Sequence, residues 1–118
     1  MKTRAEMVAH CLEFPGAYED YPFSDTNWTV MRRRDTSKGF AWIYERGGIL
    51  WVNLKSAPED TCALCSIHPA ITPGYHMNKR HWISVPLDGS VSEALLDSLL
   101  QTSWELCSWV SARCVGDF

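Results

Sequence analysis

No apolar run in this chain approaches the roughly 20 residues needed to cross a bilayer. Its start, Met1-Lys2-Thr3-Arg4-Ala5-Glu6, leads into an amphipathic segment and not into the apolar core of a signal peptide. Neither membrane insertion nor export is expected, and the cytoplasm is the expected compartment. A disulfide framework is missing too. The five cysteines (Cys11, Cys62, Cys65, Cys107 and Cys114) are odd in number and irregular in spacing, as reduced thiols are. There is no excess of positive charge. The formal net charge is −3, which argues against indiscriminate binding of nucleic acid.

Recognisable catalytic and metal-binding patterns are absent as well. Cys62 and Cys65 form a C-x-x-C, but a zinc site needs four ligands; His68 is the one near candidate and a fourth is missing. A thioredoxin-like pair would follow a strand at a helix N-terminus, whereas Thr61-Cys62-Ala63-Leu64-Cys65 reads as mid-helix. Packing of small apolar residues on a helix face accounts for both thiols. His76 and His81 have no Cys, Asp or Glu nearby to complete a coordination sphere. No nucleophile stands beside an identifiable base and orienter. A non-enzymatic protein without cofactor or metal is expected.

What remains is an ordinary globular composition. Of 118 residues, 46% are hydrophobic and 21% charged, enough for one packed domain spanning residues 1–118 and too few for two. Three segments carry Ser or Thr followed three residues later by Glu: Thr3/Glu6, Ser56/Glu59 and Ser90/Glu93. Such capping boxes predict helix starts, because the hydroxyl and the carboxylate satisfy free N–H groups at the helix end. The first helix is predicted from about residue 4 to Phe14, burying Met7, Val8, Cys11 and Leu12 and stopping at Pro15-Gly16. The second is predicted over 57–67, ended by Pro69. The third is predicted over 91–112, with Leu96, Leu99, Leu100, Cys107 and Val110 on one stripe.

Between the first two helices the period shortens to two. Residues 28–34, 40–46 and 49–55 read as strands, and a fourth runs from His81 to Val85. Gly47-Gly48 closes a two-residue hairpin, since both central positions require positive φ. That turn sets Tyr44 against Trp51, Ile43 against Val52 and Ala41 against Leu54. The predicted order is α-β-β-β-α-β-α, an α+β antiparallel sheet with helices packed on one face.

Alternation sorts Ala41, Ile43, Leu50, Val52 and Leu54 to one side. Phe40, Trp42, Tyr44, Trp51, Asn53 and Lys55 fall on the other, with Trp28, Arg32 and Arg34 beside them. The face carrying Asn53 and Lys55 is the expected wet one, because burying a lysine is expensive. Several large aromatics would then be exposed or only partly covered, either shielded by long charged side chains or a dimer partner or serving as a surface for stacking or docking.

Charge is unevenly placed. Residues 28–82 hold eight Lys/Arg and four Asp/Glu, for +4, and the remainder sums to −7. The densest polar stretch is Pro73-Gly74-Tyr75-His76-Met77-Asn78-Lys79-Arg80-His81-Trp82. It is rich in donors suited to an anion, and it also suits a loop that ties its own polar groups to the sheet.

That stretch, with Leu87-Asp88-Gly89, carries a resemblance. So do Phe14-Pro15-Gly16-Ala17, Tyr21-Pro22-Phe23, Lys38-Gly39-Phe40-Ala41 and Val52-Asn53-Leu54-Lys55 followed by Pro58-Glu59. From about residue 4 to 110 the chain resembles the MmcQ/YjbR-like family of small bacterial proteins. The resemblance implies a CyaY-like α+β fold and a "double-wing" DNA-binding arrangement. On that reading Lys55, His76, Asn78, Lys79 and Arg80 meet phosphates and Arg32 and Arg34 flank them. Exposed Trp42 and Trp51 would stack on unpaired bases or fill a groove. The alternative is an adaptor that binds a protein or small molecule through the same aromatic face.

Overall fold

Thr3 opens the first helix as the sequence predicts. Its Oγ1 accepts from the Glu6 N–H at 3.1 Å, and the Glu6 carboxylate accepts from the Thr3 N–H, also at 3.1 Å. The helix, α1 (Arg4–Cys11), ends earlier than predicted, in a turn before Pro15-Gly16, and Leu12 is left 44% exposed and not buried. The computed structural model describes residues 3–108. Within them the chain continues through β1 (Ala17–Asp20), β2 (Thr29–Arg33), β3 (Gly39–Arg46), β4 (Ile49–Lys55), α2 (Pro58–Ile67), β5 (Thr72–Pro73), β6 (Trp82–Pro86) and α3 (Glu93–Leu106).

The six strands form one antiparallel sheet in the order β1-β2-β3-β4-β6-β5. The α+β class and the antiparallel sheet are as predicted, but two strands are new. β1 is short and polar, and β5 is a two-residue bridge containing Pro73, so neither carries a period-two apolar signal. The β3–β4 hairpin has the predicted register, Ala41–Leu54, Ile43–Val52 and Tyr44–Trp51. Gly47 and Gly48 hold it with φ of 62° and 77°.

Two predicted caps are replaced. α2 begins at Pro58 after Ala57, which makes no side-chain cap, and the Ser56 hydroxyl pairs with that of Thr61 instead. α3 is capped by Ser92, whose Oγ accepts from the Leu95 N–H at 3.2 Å, and not by Ser90. Val110 and Cys114 lie outside the described residues.

One face of the sheet carries the main core. Met7 and Cys11 of α1 and Leu96, Leu99 and Leu100 of α3 pack on Met31, Ala41, Ile43, Val52, Leu54, Ile83 and Val85. Each buried aliphatic side chain stabilises the fold by about 1.5–3 kcal/mol. Phe40 joins this core, contrary to simple alternation. The β2–β3 register shifts between Met31 and Arg32, so that Phe40 falls between the pairs Met31–Ala41 and Arg32–Gly39. The bulge turns its ring to the helix side. There it meets Phe14 at 5.7 Å, and Phe14 stacks on Trp104.

The opposite face is not wet. Asn53 is fully buried and Lys55 is 9% exposed, which overturns the expectation that both meet solvent. The connections before β2 and between β5 and β6 fold over this face and build a second, aromatic layer on Tyr44 and Trp82, both buried.

Candidate functional site

A buried polar knot seats the 74–81 loop. The Tyr44 hydroxyl lies 3.0 Å from Asn53 Oδ1 and 3.2 Å from Ser84 Oγ. Ser84 donates to the same Asn53 oxygen at 2.6 Å. Asn53 Nδ2 in turn donates to the Tyr75 carbonyl, and the Tyr75 N–H donates to Ser84 Oγ, both at 2.8 Å. Three side chains of adjacent strands thus hold one loop residue by both its backbone groups. Burial raises the Tyr44 phenol above its ordinary range, keeping it a neutral donor.

Gly74 lets the loop come this close. A Cβ there would stand 2.6 Å from Trp82 Cβ and 3.1 Å from Met77 Cβ. His76 then takes a left-handed φ of 59°, a conformation uncommon outside glycine.

With the loop seated, the aromatics form a continuous assembly. Trp28 stacks on Tyr44 at 4.6 Å, and Tyr44 on Tyr75 at 5.3 Å. Phe23, on the connection between β1 and β2, stands 6.3 Å from Trp28 and 6.1 Å from Trp42, inclined by 71° and 38°. Between that connection and the 74–81 loop lies a cleft of about 540 Å³, lined by Pro22, Phe23, Ser24, Asp25, Trp28, Trp42, His76 and Met77. Its mouth is marked by Phe23, 48% exposed. Asp25 is the one lining residue with a fixed charge. Its Oδ1 accepts from the Asn27 N–H at 2.9 Å.

The residues expected to meet DNA are dispersed by this arrangement. Trp42 and His76 reach the cleft. Trp42 is half-buried, with its indole N–H on the Gly39 carbonyl, and His76 is exposed. Trp51 is half-buried elsewhere, beneath the Arg46 guanidinium at 5.0 Å. Both indoles, expected to be exposed or only partly covered, are partly covered, Trp42 beside Phe23 and Trp82 and Trp51 beside Arg46.

Lys55 is no surface cation: its stem is buried and its ammonium lies 5.7 Å from the Trp82 ring centroid. Asn78 closes its own turn, its Oδ1 accepting from the Arg80 N–H at 2.9 Å. Lys79 donates to the Gly74 carbonyl. Arg32 is paired with Asp20 at 2.7 Å and donates to the Ser37 carbonyl at 2.8 Å. Arg34 is exposed beside the Tyr18 ring, and Arg80 is exposed before β6. Strands β3 and β4 separate the one from the other.

The cleft residues that sequence reasoning passed over as site residues are Pro22, Phe23, Ser24, Asp25 and Met77. Tyr21-Pro22-Phe23 stood out as a motif, but nothing local placed it above Trp42.

Among the described residues no group of three His, Cys, Asp or Glu is placed to hold a metal, and no helix is long and apolar enough to cross a membrane. Cys62 is exposed and Cys65 half-buried on α2, both as free thiols.

The fold is shared with solved bacterial proteins. The crystal structure of Deinococcus radiodurans DR2400, described as a DUF419 domain, matches 97% of this chain and 86% of its own, with TM-score 0.83 and 34% identity. A Pseudomonas syringae protein matches 89% of this chain and 98% of its own, with TM-score 0.80 and 28% identity. The chain belongs to the YjbR family, whose profile matches residues 12–106. Escherichia coli O157:H7 YbdF is 41% identical over 91 residues, covering 74% of this chain and 75% of its own. Bacillus subtilis YyaQ is 32% identical over 117 residues, covering 90% and 98%.

Proposed function

We propose that this chain is a non-enzymatic binding domain that takes an organic ligand into the aromatic cleft on its loop-covered sheet face. The observation supporting this is the cleft itself: three rings, a thioether and an imidazole converge on one concavity with few polar groups, the usual make-up of a small-molecule site. The floor is rigid, because Trp28 stacks on Tyr44 and Tyr44 is locked by Asn53 and Ser84.

Ligand-observed NMR with a set of small aromatic and aliphatic fragments tests the reading. Fragments are expected to bind the wild-type chain and to lose about tenfold in affinity, or 1.4 kcal/mol, in Phe23→Ala and Trp42→Ala. Phe23 is exposed enough that its removal leaves the fold intact. Fragment binding indifferent to both substitutions overturns the assignment.

DNA binding is the competing reading, favoured by the exposed guanidinium groups of Arg34 and Arg80. Its signature is electrostatic: three phosphate contacts give a slope of about −2.7 in log affinity against log salt. The cleft reading expects no duplex or single-stranded DNA binding with such a slope. Observing one that flattens in Arg80→Ala would transfer the function to the cationic rim.

A further inference from the structure

The cleft's walls specify the charge of what it holds. Phe23, Trp28 and Trp42 present aromatic rings, and neither indole is closed off by parallel stacking on Phe23. Aromatic faces are electron-rich and attract cations within roughly 6 Å of the ring centroid. Asp25 adds a carboxylate at the same rim. Only Oδ1 has a hydrogen-bond partner among the described residues, so Oδ2 keeps its accepting capacity.

Two cations on the flanking elements, Arg4 and Arg32, are engaged elsewhere. Arg4 donates to Thr29, the Ile43 carbonyl and Asn27, and Arg32 is paired with Asp20. The same aromatic layer already holds cations of the chain itself. The Arg46 guanidinium sits 4.4 Å from the Tyr75 ring centroid and 5.0 Å from that of Trp51, and the Lys55 ammonium lies 5.7 Å from that of Trp82. The Phe23–Trp28–Trp42 corner is the part of this layer that opens onto a cavity.

Building on the cleft reading above, we infer that the ligand is a small organic cation whose alkylated ammonium group lodges against Phe23, Trp28 and Trp42 with Asp25 as its counter-charge. An alkylated ammonium fits better than a primary one. It has fewer N–H donors to satisfy and a lower desolvation cost, and the cleft offers rings and one carboxylate instead of a ring of acceptors. A phosphate or carboxylate ligand is disfavoured, because it would face Asp25 with no fixed cation in the lining.

The test uses choline and its neutral carbon isostere 3,3-dimethylbutan-1-ol, titrated by calorimetry and by NMR shift changes on the intact chain. The pair has nearly the same shape and differs in charge. Choline is expected to bind at least about tenfold more tightly, 1.4 kcal/mol. Asp25→Asn should narrow that ratio several-fold while leaving the isostere's affinity unchanged. Phe23→Leu, which keeps the apolar bulk and removes the ring, should weaken choline more than the isostere. Equal affinities for the two probes, or binding of neither probe while other fragments occupy the cleft, overturn the cation assignment and leave the cleft reading standing. If neither probe nor any fragment binds in a Phe23-dependent way, both fall together.

Discussion

Asn53→Ala tests whether the second face of the sheet is a core or a surface. In the fold Asn53 is fully buried and makes three hydrogen bonds, to Tyr44, Ser84 and the Tyr75 carbonyl, at 3.0, 2.6 and 2.8 Å. Truncation leaves the Tyr75 carbonyl without its donor. The Ser84 hydroxyl loses the acceptor it donates to at 2.6 Å, while the Tyr44 hydroxyl keeps its 3.2 Å approach to Ser84. A buried polar group stranded in this way costs about 1–3 kcal/mol, so the two together predict a loss of about 3 kcal/mol. With a urea m-value of about 1.5 kcal/mol/M, within the range for small domains, the unfolding midpoint should fall by about 2 M. Equilibrium urea denaturation followed by tryptophan fluorescence measures it. If Asn53 met solvent, as strand alternation alone predicts, the change would stay within about 0.5 kcal/mol, and such a result refutes the knot. Asn53→Asp sharpens the test. A carboxylate cannot donate to Tyr75, but a carboxylic acid can, so this variant should regain stability relative to wild type as pH falls below about 5. In a double-mutant cycle Asn53→Ala and Ser84→Ala should be non-additive by about 1 kcal/mol or more, as directly bonded partners are.

Gly74→Ala should lower the melting temperature by about 4–12 °C. Its Cβ would stand 2.6 Å from Trp82 Cβ and 3.2 Å from the Trp82 backbone carbon, and overpacking of that kind costs about 1–3 kcal/mol. An unchanged melting temperature would mean that the loop does not sit on Trp82. Alkaline pH should destabilise the protein through two buried groups. Burial pushes the Cys11 thiol up to about 12 and raises the Tyr44 phenol. Both pKa values are higher folded than unfolded. The stability these groups contribute is therefore complete below the unfolded values of about 8.5 and 10, and is lost as pH rises toward the folded ones. Each costs at most about 1.4 kcal/mol per pH unit in its window. The urea midpoint should fall from pH 9 upward, more gently in Cys11→Ala and in Tyr44→Phe; parallel falls in all three proteins would contradict this.

The hairpin register and the helix-side core were legible because a single local device fixes each. Gly47-Gly48 permits one turn geometry, and the alternation of Ile43, Val52 and Leu54 picks out the side that packs on the helices. Phe40 escaped because a bulge breaks alternation without leaving a residue-type signature. Asn53 and Lys55 escaped for a different reason. Asn53 is covered by a loop and Lys55 lies against Trp82 of β6, both more than twenty residues away in sequence, and polarity predicts exposure only where nothing distant covers the site. Tyr75–Trp82 was legible as a special segment. Its role was not: part of the polar set that suggests an anion site in the sequence serves the loop itself, Asn78 Oδ1 accepting from the Arg80 N–H and Lys79 donating to the Gly74 carbonyl.

Charge arithmetic fails here for the same reason. Residues 28–82 carry a formal +4, yet that sum counts charges without regard to their employment. Arg33 forms a bidentate pair with Asp35 at 3.0 and 2.7 Å, lies 3.8 Å from the Trp104 ring centroid, and holds the Asp35 carboxyl below its ordinary range. Arg32 is paired with Asp20, Arg46 lies over two rings, Lys55 over a third, and Lys79 on a carbonyl. A cation so engaged must give up its partner before it can neutralise a phosphate, so the counterion release that drives DNA binding is reduced for each one. Arg34 and Arg80 are exposed with no carboxylate or carbonyl partner of their own among the described residues, on strand ends divided by β3 and β4; Arg46 and Lys79 are exposed as well but lean on rings and a carbonyl, and Lys38 is half-buried. Cations so engaged and so dispersed supply little of the sequence-independent affinity that phosphate binding requires. The rings these cations lean on are the more informative feature. A surface that satisfies its own guanidinium and ammonium groups with indoles and phenols is built to attract positive charge, and where such rings open onto a cavity beside a lone carboxylate, a cation is what the cavity selects.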